Sequence, residues 1–144
     1  MINVTKTHLP NKEKYIKYID KIYSNGWVTK NGLMVKKLEK RLAEYLGVKN
    51  IILVANGTVA LEISYRTLGL KVYAITTTFF FATMSSLLTN GIKPIFADID
   101  PQTLNLDPNK IEDLITSNTS ALVSVYLVMA VMLIQLTRLL RNII

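Results

Sequence analysis

The sequence predicts an α/β domain with a parallel-type sheet. From residue 51 onward, short apolar runs alternate with longer segments of helical periodicity. Gly and Asn punctuate the junctions. One junction, Ile51-Ile52-Leu53-Val54-Ala55-Asn56-Gly57-Thr58, reads as a buried strand running through a tight turn onto a helix that opens at Thr58. At 144 residues the chain is one domain's length at most, and half its residues are apolar, enough for a core.

The elements follow in order. Asn11 can cap a helix reaching about Tyr23, with Tyr15, Ile16, Ile19, Ile22 and Tyr23 on one face. Ser24-Asn25-Gly26 ends it. The loop from Trp27 to Gly32 holds an aromatic ring, either a ligand platform or a local packing anchor. A second helix is expected over 33–46, with Val35, Leu38, Leu42, Tyr45 and Leu46 as its stripe and Gly47 as a left-handed cap. After the opening strand, residues 58–68 read as a helix ended by Gly69. Residues 72–76 read as a strand. Thr77-Thr78-Phe79-Phe80-Phe81-Ala82-Thr83 leads into a helix that stops at Asn90-Gly91. Residues 93–99 form the next strand, 109–115 a short helix after Pro108, and a last strand starts at Ala121.

Composition removes several chemistries. There is no cysteine, hence no disulfide, thiolate metal site or cysteine nucleophile. The single histidine, His8, supports neither a histidine metal cluster nor a Ser-His-Asp triad. The net charge is +7, and ten lysines lie between Lys6 and Lys49. They are either a nucleic-acid footprint or solvated helix faces. Alternation with Glu and Asp, and no interleaved aromatic platform, favour solvated faces, so no nucleic-acid partner is expected. The N-terminus lacks the apolar run of a signal peptide, which leads to the expectation of a cytoplasmic protein.

The Asn56-Gly57-Thr58 junction has two readings. A helix N-terminus offers unpaired amides and partial positive charge, Gly57 admits close approach, and the Thr58 hydroxyl adds a donor. Together they would cradle a phosphate. Alternatively, it is an ordinary strand–turn–helix junction capped by Asn56. In a parallel sheet, ligands bind beyond the carboxyl ends of the strands. Both this turn and the Thr78–Thr83 segment fall there, which would put aromatic rings beside a phosphate site. Core packing is the competing expectation for two of the three Phe residues.

Several ordered motifs resemble the DegT/StrS family of sugar aminotransferases. They are Asn56-Gly57-Thr58-Val59-Ala60-Leu61, Phe80-Phe81-Ala82-Thr83, and Gly91-Ile92-Lys93-Pro94-Ile95-Phe96-Ala97-Asp98-Ile99-Asp100. Gly26-Trp27-Val28-Thr29 with Gly32, Leu38-Glu39, Tyr45-Leu46-Gly47-Val48 and Leu104-Asn105-Leu106-Asp107-Pro108 fit as well. The resemblance covers residues 1–127. It implies the N-terminal part of a fold-type I large domain, with a truncated parallel-type sheet and pyridoxal 5'-phosphate as cofactor. Gly57 and Thr58 would bind the cofactor phosphate, Phe80 would stack on its ring, and Trp27 and Thr29 would lie near substrate. The implied partners are a nucleotide-linked keto sugar, an amino donor such as glutamate, and a second subunit in a homodimer. No metal site is implied. The segment before Phe80 is one residue short of the family pattern.

Residues 128–144 depart from the family. The family later supplies an aspartate for the pyridine nitrogen and a lysine that forms the Schiff base. Here no lysine follows Lys110, so the chain is expected to be inactive alone. Reading from the third base of the Val128 codon, Met129-Ala130 forces an NAT codon and then GGC, a glycine. The later codons admit Tyr-Gly-Cys-Asn-Val-Asp-Thr-Ile-Asp-Lys-Ile-Ala-Lys-Lys-Tyr-Asn-Leu, which resembles the family's continuation. A frameshift near Leu127 is therefore expected. The competing reading is a small basic binding protein, or one anchored in a membrane by its C-terminus. Residues 121–136 are nearly all apolar and precede Arg138 and Arg141. A spanning helix needs about 20 apolar residues, which makes a membrane anchor the weaker expectation.

Overall fold

The computed structural model describes residues 6–78 and 80–126. The chain divides into two compact units, Met1–Leu53 and Val54–Ile144. The expectations placed on residues 128–144 lie outside the described residues.

The first unit holds two helices, α1 (Lys12–Asn25) and α2 (Leu33–Leu46). The Asn11 side chain accepts from the Lys14 amide at 3.0 Å, giving α1 its predicted N-cap. Gly26 and Gly47 close the two helices with φ of 66° each, a left-handed conformation that a side chain would strain. Lys37 Nζ stands 5.3 Å over the Tyr18 ring, joining α1 and α2 by a cation–π contact. Neither helix buries a side chain.

The expected strand at 51–54 does not form. These residues have no ladder partner, and Ile52, Leu53 and Val54 are exposed. Glu39 Oε1 accepts the Leu53 amide at 3.1 Å, in place of a neighbouring strand's carbonyl. An apolar run supplies strand propensity, but a strand exists only where another lends it hydrogen bonds.

The second unit contains α3 (Gly57–Thr67), β1 (Tyr73–Thr76), α4 (Phe81–Thr89), β2 (Lys93–Phe96) and β3 (Thr119–Val123). The strands form a parallel sheet in the order β2-β1-β3. Alternation along β1 sorts its side chains onto two faces. Ala74 goes to one, packed with Tyr65 of α3, Leu87 of α4 and Ile92. Ile75 goes to the other, packed with Ala97, Leu106 and Ile111. The partners of β3 follow the same rule: Ala121 and Val123 join the first cluster and Leu122 the second. Each fully buried Leu or Ile contributes about 1.5–3 kcal/mol.

Two further expectations change in detail. The β2 strand stops at Phe96, because Asp98 turns the chain with its own carboxylate on the Ile99 amide at 2.8 Å. Ile99 then bridges to Leu106 in antiparallel fashion. The helix expected at 109–115 is two 3-10 turns, Pro108–Lys110 and Glu112–Leu114. The segment is too short to recover the cost of nucleating an α-helix, and the tighter turns seat Ile111 fully in the core.

Candidate functional site

The site grows from the cap of α3. Asn56 is extended, with φ of −163°, and its side chain accepts from the Val59 amide at 3.0 Å. Its carbonyl accepts from the Ala60 amide at 3.2 Å. Among the described residues the amides of Gly57 and Thr58 have no partner. They are the orphan donors that every helix N-terminus leaves, at the positive end of the dipole. The helix opens at Gly57, one residue earlier than expected, which adds that amide to its first turn. A Cβ on Gly57 would meet nothing within 4 Å, so the space on its Cα side is open.

Phe80 immediately precedes α4, in extended conformation, and its carbonyl accepts from the Thr83 amide at 3.1 Å. The residue is 54% exposed. Gly57, Thr58 and Phe80 all line one open cavity of about 520 Å³, together with Ala60, Leu61, Ser64 and Ala82. The three residues singled out in the sequence thus share a cavity inside the second unit. The core packing expected of two Phe residues is not met at Phe80 or Phe81, both exposed, because α4 turns its Thr83, Ser86 and Leu87 face inward instead. Phe79 lies outside the described residues.

The sequence reading missed Ala60, Leu61 and Ser64 as lining. Helical spacing from Gly57 was the available signal, since positions three, four and seven residues on share a face. Ser64 keeps its hydroxyl on the helix, donating to the Ala60 carbonyl at 2.8 Å, so it leaves the wall largely apolar.

Trp27 and Thr29 belong to the first unit. They line a cavity of about 220 Å³ with Lys21, Ile22, Asn25 and residues of the α2 N-terminus. Trp27 Nε1 donates to the Lys30 carbonyl at 3.2 Å, so the indole anchors its own loop. Gly32 packs close, with its missing Cβ position 3.6 Å from the indole.

Two ionisable groups are perturbed. Burial pushes the Tyr65 phenol above its ordinary value, partly offset by the Ser86 hydroxyl. The Thr103 and Gln102 amides hold the exposed Asp100 carboxyl below the usual aspartate range. Neither lines the cavity. Among the described residues, no cluster of His, Asp or Glu could hold a metal ion. None of the described helices is long and apolar enough to cross a membrane.

The model of the DegT/DnrJ/EryC1/StrS aminotransferase family matches residues 10–137. The chain belongs to this family. It is 49% identical over 126 residues to a dTDP-4-amino-4,6-dideoxy-D-glucose transaminase of Shigella dysenteriae, a match covering 87% of this chain and 34% of that protein. The fold agrees with solved aminotransferases. Against DesI crystallised with its TDP-sugar product the TM-score is 0.79 at 31% identity, covering 92% of this chain and 34% of DesI. Against NtdA from Bacillus subtilis with bound cofactor PMP it is 0.79 at 32% identity, covering 90% and 30%. The chain therefore spans about a third of the length of the curated relatives it matches. Within this family member, Gly57 and Thr58 of the α3 N-terminus and the exposed Phe80 line one cavity.

Proposed function

We propose that the chain is the N-terminal part of a pyridoxal 5'-phosphate-dependent aminotransferase acting on a nucleotide-linked keto sugar, in amino-sugar and surface polysaccharide synthesis. The observation that carries this reading is that Gly57 and Thr58, whose amides are unpartnered among the described residues, line the same cavity as Phe80. The residues fit the cofactor. The two amides and the Thr58 hydroxyl are donors for phosphate oxygens at a helix N-terminus. Phe80 is exposed and lines the cavity, so its ring is available to a flat heterocycle, and Ala60, Leu61 and Ala82 keep the surroundings apolar. When bound, pyridoxal 5'-phosphate supplies the electron sink that amino transfer requires.

On this reading, Gly57, Thr58 and Phe80 position and orient, and the covalent and proton-transfer groups belong to the part of the family that this chain does not match. The 144-residue polypeptide is then a binding half-site, inactive alone. The nucleotide sugar, a glutamate-type amino donor, a homodimeric partner and a cytoplasmic setting are the corresponding assignments for the whole enzyme. Trp27 and Thr29 are assigned near the sugar in that enzyme. The tail at 128–144 is assigned to a frameshift, and sequencing the gene around codon 127 tests it: no longer family-like frame downstream means the assignment is wrong.

Equilibrium dialysis tests the site itself. Pyridoxamine 5'-phosphate is the probe, since it carries no aldehyde to react with surface lysines. Binding that is lost with pyridoxamine, and weakened by Phe80→Ala, supports the reading. Equal binding of the two compounds refutes the phosphate cup. Borohydride trapping of pyridoxal 5'-phosphate on one specific lysine, with amino transfer, refutes the inactive half-site.

A further inference from the structure

Beneath the cavity lies a buried polar pair that the cofactor reading does not use. On α3, Leu61 lines the cavity and Tyr65 follows one turn later. On α4, Ala82 lines it and Ser86 follows one turn later. Residues four apart share a helix face, so Tyr65 and Ser86 form the next layer of the α3–α4 contact. Both are buried, at 4% and 0% exposure.

The enclosed Tyr65 hydroxyl makes no hydrogen bond among the described residues. The Ser86 hydroxyl offsets part of the rise that burial causes in the phenol's pKa, which puts the two groups side by side, short of hydrogen-bond geometry. Ser86 Oγ donates to the Thr83 carbonyl at 2.8 Å, which leaves its lone pairs to accept. Thr83 in turn donates its amide to the Phe80 carbonyl at 3.1 Å. The Ser86 hydroxyl is thus tied to the turn that carries Phe80. A buried donor without a partner is unfavourable, and here an acceptor lies one small movement of α3 against α4 away. A ligand drives such a movement only by binding the two arrangements differently. One that touches Gly57 and Thr58 on α3 and Phe80 beside α4 does so, because it contacts both walls.

We propose that Tyr65 is a positioning residue of the half-site: when a phosphate-bearing ring fills the cavity, α3 and α4 draw together and the Tyr65 hydroxyl donates to Ser86 Oγ, fixing Phe80 relative to the Gly57–Thr58 turn. The inference rests on the half-site reading above. It adds a hydrogen bond that the free protein lacks and the occupied one gains.

The test uses the full chain, with pyridoxamine 5'-phosphate as probe in equilibrium dialysis and NMR titration, and urea unfolding of the free protein. Tyr65→Phe keeps the ring and removes only the hydroxyl. It should weaken binding about three- to tenfold, while the urea midpoint holds or rises because an unpaired buried group is gone. Ser86→Ala should weaken binding by a similar factor, and the double variant no more than either single one. The Tyr65 Cζ resonance should shift on titration of the wild type and not of Ser86→Ala. Wild-type affinity in Tyr65→Phe overturns the proposal and leaves the half-site standing. A midpoint that falls in step with affinity also overturns it, since the hydroxyl then serves the folded core alone. A wild type that does not bind pyridoxamine 5'-phosphate refutes the half-site reading and this inference with it.

Discussion

Gly57 separates a structural glycine from a binding one. Its backbone is not left-handed, and a Cβ there would meet nothing within 4 Å. The fold alone does not require glycine at this position. Gly57→Ala should therefore hold or raise stability, by up to about 1 kcal/mol, while placing a methyl where a phosphate oxygen would approach. The expected outcome is an unchanged or higher urea midpoint with pyridoxamine 5'-phosphate binding weakened at least about tenfold. Unchanged affinity would return Asn56-Gly57-Thr58 to the status of a capped junction. Val72 presents the opposite case. It is β-branched and half exposed, yet has φ of 64°, a conformation costing about 1–3 kcal/mol for such a residue. Val72→Gly should raise stability by a net ~1 kcal/mol, read as a higher urea midpoint at constant slope, and a fall would mean that the side chain contributes packing that outweighs the strain. Asp100 gives a pH signature. Its carboxylate accepts the Gln102 and Thr103 amides at 2.8 Å each, and its pKa is lowered. That contribution is complete above the unfolded aspartate value of about 3.9 and fades as pH falls through the lower folded value. An NMR titration should show Asp100 titrating below the ordinary aspartate value of about 3.9; a midpoint at or above that value would count against the turn.

The α3–α4 pair ties the site to the sheet. Thr89 Oγ1 donates to Glu62 Oε1 at 3.0 Å and Arg66 Nε to Asn90 Oδ1 at 2.7 Å, both across the two helices at the surface. Beneath them Tyr65, Leu87 and Ile92 are buried against Ala74. Exposed polar links of this kind are each worth ~1 kcal/mol or less, whereas a buried leucine truncated to alanine costs about 2–5 kcal/mol. Leu87→Ala should thus lower stability several-fold more than Arg66→Ala, measured as the urea midpoint at constant slope. Equal effects would mean that the helices are held by their rim. The legible elements were those whose causes are local. Asn11, Gly26, Gly47 and Asn56 mark helix ends because caps act within a few residues. Gly57, Thr58 and Phe80 were grouped by the family resemblance together with the turn at Asn56-Gly57 and the end of β1, and they share one cavity although the strand expected before the turn is absent. Residues 51–54 were misread because strand formation depends on a neighbour that the segment's own residues cannot name. Residues 109–115 were misread because the burial of Ile111, not propensity, decides their turn type. Trp27 left two readings open, and the Lys30 carbonyl on its indole favours the anchor.

At the scale of the whole chain, the two units differ in what holds them. The second has two clusters of buried side chains on opposite faces of its sheet. In the first, α1 and α2 bury no side chain, and Tyr15, Ile16, Leu38, Tyr45 and Leu46 of their apolar stripes are exposed. Helices of 14 residues each are marginal in water without tertiary packing. The left-handed caps and the Lys37–Tyr18 contact contribute at most about 1 kcal/mol each. A core leucine or isoleucine contributes about 1.5–3 kcal/mol, and the second unit has several. Local opening should therefore be far easier in the first unit than in the second. Hydrogen–deuterium exchange should show the amides of α1 and α2 exchanging on the order of 100-fold or more faster than those of β1 and α4. Since the chain spans about a third of its relatives' length, the same helices in a full-length family member should be markedly more protected. Equal protection of α1 and β1 in the 144-residue chain would show that the apolar stripes are covered in solution.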